Sequence, residues 1–177
     1  MVKAFRIAIP IALICICVLG CSRPPDYGAG MPTEVATLEP SPKPPEVPDS
    51  EVGIAIFHTA RGEVSLRAWN PPIQSQNYLK GLVNIQSWPE HWCRVFDWQE
   101  SDTEPFWMKN CYIPLDLCFV DETGHIIDIQ QMEPLSERYH HSPQPYRWAV
   151  ELYRGTCQRL GISEGDSVEF AVAGGND

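Results

Sequence analysis

The chain has little positive charge: 13 Lys and Arg stand against 23 Asp and Glu, for a formal net charge of -10. No basic run interrupts this balance, so a phosphate backbone or an anionic lipid surface would be repelled, and no nucleic-acid partner is expected. Metal-site spacings are missing too. There is no Cys-x-x-Cys and no His-x-x-x-His, and His91, Cys93 and the adjacent His140-His141 make a poor zinc set, so no metal is expected. Glycine-rich phosphate loops and a Gly-x-Ser-x-Gly elbow are absent, and no cofactor is implied. Neither an internal repeat nor an alternation of strands with helices is visible, which argues against repeat architectures and parallel α/β folds.

Long apolar runs are also scarce. The one conspicuous example, Ile7 to Leu19, follows Lys3 and Arg6 and ends at Val18-Leu19-Gly20-Cys21. It falls short of the ~20 residues that span a bilayer and has the layout of an export signal. A small residue directly before Cys21 resembles the lipobox of bacterial lipoproteins, in which the cysteine is acylated and the peptide cut before it. Two or more acyl chains hold a protein stably on a membrane. The expected organisation is therefore a signal over 1–20, lipidated Cys21 with a proline-rich tether over 21–50, one folded domain over 51–174 and a frayed end at 175–177. Pro24-Pro25, Pro32, Pro40, Pro42, Pro44-Pro45 and Pro48 favour extended polyproline II conformation in the tether. The membrane is thus an expected partner through Cys21, with the domain outside the cytoplasm. Ser22, in place of an Asp, favours the outer membrane of a Gram-negative envelope.

With Cys15, Cys17 and Cys21 in the signal and anchor, Cys93, Cys111, Cys118 and Cys157 belong to the domain. Buried thiols are the expectation; one disulfide, Cys93 to Cys157 or Cys93 to Cys111, is the alternative.

Within the domain, strand signals dominate. Ile54 to Phe57 and Glu63 to Trp69 flank Thr59-Ala60-Arg61-Gly62, which predicts a hairpin. Asn70-Pro71 predicts a short helix ending near Lys80-Gly81. Leu115 to Val120 and Ile126 to Ile129 form a second hairpin around Gly124. Tyr146, Trp148, Val150 and Leu152 alternate with Arg147 and Glu151, so the apolar set should face the core and the charged pair the other face. A short helix over Arg154 to Leu160 and a final strand from Val168 to Val172 complete the reading. The fold class is mainly β, α+β at most: a compact antiparallel β-sandwich or barrel-like single domain with one or two short helices.

The densest cluster of unusual residues is Phe106-Trp107-Met108-Lys109-Asn110, followed by Ile113-Pro114-Leu115-Asp116 and, after the hairpin, Met132-Glu133-Pro134. With Gly81-Leu82 before them and Tyr139, Ser142-Pro143, Glu151-Leu152, Gly161-Ile162 and Gly165-Asp166 after, these residues resemble the uncharacterised family called domain of unknown function 192. The resemblance implies a compact β-rich domain, often exported, and no established activity.

Polar groups set among large apolar neighbours need a partner or a ligand. Trp107, Lys109, Asn110, Asp116 and Glu133 are therefore the leading ligand-binding candidates, with Arg147 and Glu151 weaker ones. Lys109 paired with Asp116 or Glu133 is the structural alternative. Asp116 and Glu133 are weak catalytic candidates as a general acid and base. Cys111 near His125, His140 or His141 is read as a buried, inert thiol. Trp88 and Trp98 border predicted loops and are the better surface tryptophans. The expected function is non-catalytic: a binding or accessory module for a small polar or envelope-glycan ligand. An envelope hydrolase and a scaffold for another envelope protein, docking around Trp88 to Trp98, are the alternatives.

Overall fold

The computed structural model describes residues 43–44 and 46–172; Cys21, the signal, most of the proline-rich stretch and the last residues lie outside them. Seven strands form one sheet: β1 (Val52–Thr59), β2 (Gly62–Trp69), β3 (Trp92–Asp102), β4 (Leu115–Val120), β5 (Ile126–Met132), β6 (Tyr146–Tyr153) and β7 (Ser167–Val172), in the order β5-β4-β6-β3-β2-β1-β7. The one α-helix among the described residues, α1 (Thr156–Leu160), lies between β6 and β7. The fold is mainly β, as the alternating patterns require. All pairs are antiparallel except β2 with β3, which run parallel through Arg67, Ala68 and Trp69. The sheet does not close into a barrel, although its outermost strands meet at one bridge between His125 and Ser167.

Both hairpins form where the turn residues place them. Gly62, at φ +118°, follows Ala60-Arg61 between β1 and β2, and Gly124, at φ +85°, turns β4 into β5. The expected helix after Asn70 does not form: residues 70–91 make turns without a helix or strand. The turns close instead through Ser75 N–H to the Pro72 carbonyl, Tyr78 N–H to the Ser75 carbonyl and Lys80 N–H to the Asn77 carbonyl, and the Arg94 guanidinium takes the carbonyls of Asn77, Tyr78 and Lys80. The segment is also the crossover that the parallel β2–β3 pair demands.

Two cores result, one on each face of the sheet. Leu66, Ala68, Cys93, Val95, Cys118, Val120, Val150 and Leu152 share one with Ala55 and Phe57 of β1. Trp69, Trp92, Phe96, Leu115, Leu117, Phe119 and Tyr146 carry the other, which is roofed by Leu82, Ile85 and Trp88 of the crossover and by Phe106, Met108 and Ile113. Both faces of β6 are therefore covered, and Glu151 is buried rather than turned to solvent. Trp88, read as a surface ring, is buried as well. Its indole N–H donates to the Trp92 carbonyl at 3.0 Å. Val47, inside the stretch read as tether, is buried against the second core.

The four domain cysteines are buried and free. Neither disulfide considered from the sequence is present. The close pair is instead Cys118 and Cys157, with sulfurs 3.5 Å apart.

Candidate functional site

The Phe106 to Asn110 signature is an extended segment held at both ends. Phe106 and His140 exchange backbone hydrogen bonds of 3.0 and 2.8 Å, and the Met108 N–H donates to the Ser136 carbonyl at 3.0 Å. The pleat then sends Phe106 and Met108 into the core and leaves Trp107 and Lys109 outside. Asn110 has φ +59°, a left-handed conformation that Asn tolerates better than most residues, and its carbonyl accepts the Asn84 N–H at 2.8 Å. The signature Asn is thus a turn residue that ties the loop to the crossover.

Between this loop and the crossover lies a cavity of about 190 Å³. The crossover contributes Leu79, Gly81, Leu82 and Val83, the signature loop Glu104 to Trp107 and Cys111, and the sheet beneath them Phe96, Trp98 and Glu151. Phe96 stacks on Trp98 (centroids 5.9 Å apart, planes 20°) and meets Phe106 edge-on at 5.0 Å. Trp107, 44% exposed, stands at the rim and stacks on Tyr139 at 5.7 Å with planes 9° apart.

Glu151 is the unusual lining residue. It is 5% exposed, and the Leu82 N–H donates to its Oε2 at 3.3 Å. Gly81 is what permits this approach: a Cβ there would sit 3.2 Å from Oε2, 3.3 Å from Oε1 and 3.3 Å from Phe96. The cross-strand neighbour of Glu151 is Arg94, fully buried on the same face. Arg94 is not its ion-pair partner, since its N–H groups go to the carbonyls of Lys80 (2.8 Å), Tyr78 (2.7 Å), Asn77 (3.2 Å) and Val95. Burial pushes the Glu151 carboxyl up to about 7, against the opposing pull of the Arg94 charge and the Leu82 N–H. Burial also pushes Arg94 down to about 10, opposed by Glu151 and Glu51. Glu51 anchors the far end of the crossover, accepting hydrogen bonds from Trp69 Nε1 (2.7 Å), Asn77 Nδ2 (3.1 Å) and the Ser75 hydroxyl.

Of the ligand-binding candidates read from the sequence, Trp107 and Glu151 line this cavity. Lys109 lies just outside, its ammonium 5.0 Å from the Trp107 ring centroid and 3.9 Å from Glu137. It pairs with neither Asp116 nor Glu133. Glu133 is exposed and bridges to Arg154 at 2.9 Å. Arg147 reaches Asp97 at 2.5 Å and stacks on Trp148. Asp116 is buried, and its Oδ2 accepts the Cys157 N–H at 3.1 Å. Gly155 at the start of α1 has no side chain to cap it, so Asp116 caps the helix from β4. Asp116→Ala is expected to cost about 1–3 kcal/mol of stability by leaving a buried N–H unpaired, measured by urea denaturation; an unchanged midpoint would refute the capping role. Cys111 is also unsuited to nucleophilic work, because burial pushes its thiol up to about 11. His140 is buried and bonded through Nδ1 to Gln130 at 2.9 Å, whereas His141 is exposed.

Arg94, Glu51, Glu104 and Gly81 were not among the site residues read from the sequence. A lone Arg inside the apolar run Trp92 to Phe96 was the available signal; its meaning depended on knowing that β3 lies beside β6.

The chain is similar in fold to solved structures. A candidate transcription regulator from Sinorhizobium meliloti 1021 is 32% identical, with a TM-score of 0.60 over 67% of this chain and 93% of that one. A protein of unknown function from Novosphingobium aromaticivorans DSM 12444 is 26% identical, with a TM-score of 0.65 over 79% of this chain and 99% of that one. No curated protein matches the chain. The chain belongs to the DUF192 family, described as an uncharacterized ACR, whose model matches residues 72–170. Every residue lining the cavity falls within that match.

Proposed function

We propose that this protein is an envelope lipoprotein, anchored through acylated Cys21, whose β domain is a non-catalytic binding module with its site in the cavity between Gly81-Leu82 and the signature loop. The observation that carries the binding reading is Glu151: a carboxylate 5% exposed, lining a cavity with aromatic walls, with no ion-pair partner among the described residues. Such a group is costly to bury, and a cavity with a few convergent polar groups is where a ligand repays that cost. The anchoring part rests on the basic start, apolar run and Gly20-Cys21 of the sequence. Asp116 and Glu133 are committed to α1 and Arg154 and do not line the cavity, which favours binding over hydrolysis by that pair. The description of the Sinorhizobium relative as a transcription regulator is not carried over, because a net charge of -10 repels a phosphate backbone.

The test is a thermal-shift screen of the full-length protein in neutral detergent against cell-wall fragments, sugars, amino acids and small amines, with Trp107→Ala alongside. A ligand at about 100 times its Kd is expected to add ~2.7 kcal/mol, raising Tm by several degrees. In Trp107→Ala the affinity is expected to drop about tenfold with the fold retained. A shift that survives unchanged in Trp107→Ala would move the site elsewhere, and no shift with any class would refute the binding reading.

A further inference from the structure

The composition of the cavity wall is one-sided. Among the described residues its ionisable side chains other than the Cys111 thiol are both acids, Glu104 and Glu151, and no Lys, Arg or His lines it. Four aromatic rings, Phe96, Trp98, Phe106 and Trp107, make up much of the rest. The first three pack against one another with centroids 5.0 to 6.3 Å apart. Aromatic faces carry negative electrostatic potential, so rings and carboxylates act together on a positive ligand and against a negative one.

Glu151 lacks a cation of its own. Among the described residues no Lys, Arg or His nitrogen lies within 4.0 Å of its carboxylate. Arg94, directly across the sheet, has its N–H groups bonded to four backbone carbonyls and does not line the cavity. The hydrogen bond Glu151 accepts within the protein, from Leu82, reaches only Oε2. The acceptor capacity of Oε1 is left over, at the bottom of a cavity whose other groups cannot donate a charge-assisted hydrogen bond.

We propose that the cavity takes an organic cation: an amine or ammonium head group whose nitrogen meets Glu151 and whose carbons lie against Phe96, Trp98, Phe106 and Trp107. The inference rests on the binding reading above and names its ligand class. Size agrees with a small head group. At ~30 Å³ per water-sized unit, 190 Å³ holds about six heavy atoms. The net charge of -10 would also raise the local concentration of cations. A sugar fits less well, since its several hydroxyls would face rings and one carboxylate in a space of that size.

Three probes with the same branched carbon skeleton separate the possibilities: isopentylamine, isopentanol and isovalerate. They are titrated into the full-length protein in neutral detergent and followed by tryptophan fluorescence and by the indole N–H signals of Trp98 and Trp107. Isopentylamine is expected to bind at least tenfold more tightly than isopentanol, with isovalerate weakest. In Glu151→Gln the preference for amine over alcohol is expected to vanish while isopentanol still binds. Glu104→Gln, an exposed change that leaves the fold intact, is expected to weaken the amine severalfold and spare the alcohol, so the test does not depend on one variant folding. Equal affinity for amine and alcohol, or a preference for isovalerate, would overturn the cation while leaving the cavity as a binding site. If none of the three perturbs either indole, both the cation and the binding reading fall.

Discussion

Replacing Arg94 with Met is expected to cost about 3–5 kcal/mol, enough to take a domain of ordinary stability close to unfolding. The loss does not come from one ion pair. Arg94 is 0% exposed and lies over Phe96, its guanidinium carbon 4.0 Å from the ring centroid. From there it satisfies the carbonyls of Asn77, Tyr78, Lys80 and Val95. Met fills most of the volume and supplies none of the donors, so the buried Val95 carbonyl and three partly buried carbonyls of the crossover lose the guanidinium, at about 1 kcal/mol each. The Glu51 and Glu151 carboxylates also lose the nearest buried positive charge. Arg94→Lys is expected to recover little, because a single ammonium cannot reproduce a planar fork that reaches carbonyls on two sides. Urea denaturation of the three proteins checks this. A Met variant within 1 kcal/mol of the parent would mean that the crossover is held by its apolar contacts alone.

Glu151→Gln is expected to do the opposite and to do so only at the alkaline end of the range. With its carboxyl raised from 4.5 to about 7, folded Glu151 keeps a proton that the unfolded chain has already released. Protein stability therefore falls as pH rises through that interval, and above it the folded state carries a constant penalty of roughly 3 kcal/mol from this group. Glutamine never ionises, so the variant should match the parent near pH 4 and exceed it by up to about 3 kcal/mol at pH 8. The difference between the two proteins is the quantity to follow. Glu51 works in the other sense: although burial pushes its carboxyl up, the hydrogen bonds from Ser75, Trp69 and Asn77 hold it below the ordinary range, so its contribution is lost as the solution becomes acidic. Subtracting the curves cancels that common term. A flat difference from pH 4 to 8 would show that Glu151 is no more costly to ionise in the fold than in solution. A gain in stability on removing a carboxylate is the mark of a residue kept for some task other than folding.

The two hairpins, the last long strand and the short final helix were legible from the sequence, because each rests on local features: turn glycines, period-two alternation, and a stop at Gly161. What failed was what depends on which strands become neighbours. Tyr146, Trp148, Val150 and Leu152 identify β6, but nothing in their spacing shows that loops roof its second face, so Glu151 was read as lying on a free one. Strand β3 was not identified at all, since Arg94, Asp97 and Gln99 interrupt its apolar pattern and the reason for Arg94 lies 14 to 17 residues upstream. The signature led to Trp107, which lines the cavity. Lys109 and Asn110 of the signature, like Glu133 further on, lie exposed and do not line the cavity.

The parallel pairing of β2 with β3 has a consequence for how the molecule breathes. Two parallel neighbours cannot be joined by a tight turn, so 22 residues, 70–91, must cross from one end of the sheet to the other, and here they do so without a ladder or helix of their own. The strap is held by backbone bonds from Arg67 N–H to the His91 carbonyl, Asn70 N–H to the Glu51 carbonyl and Asn84 N–H to the Asn110 carbonyl, and by the side chains of Glu51 and Arg94. Lifting it while the sheet stays intact would break these bonds and uncover Leu82, Ile85 and Trp88, which makes it a sub-global opening distinct from fraying of the strands. Amide exchange in the strap therefore reports on the roof over Glu151.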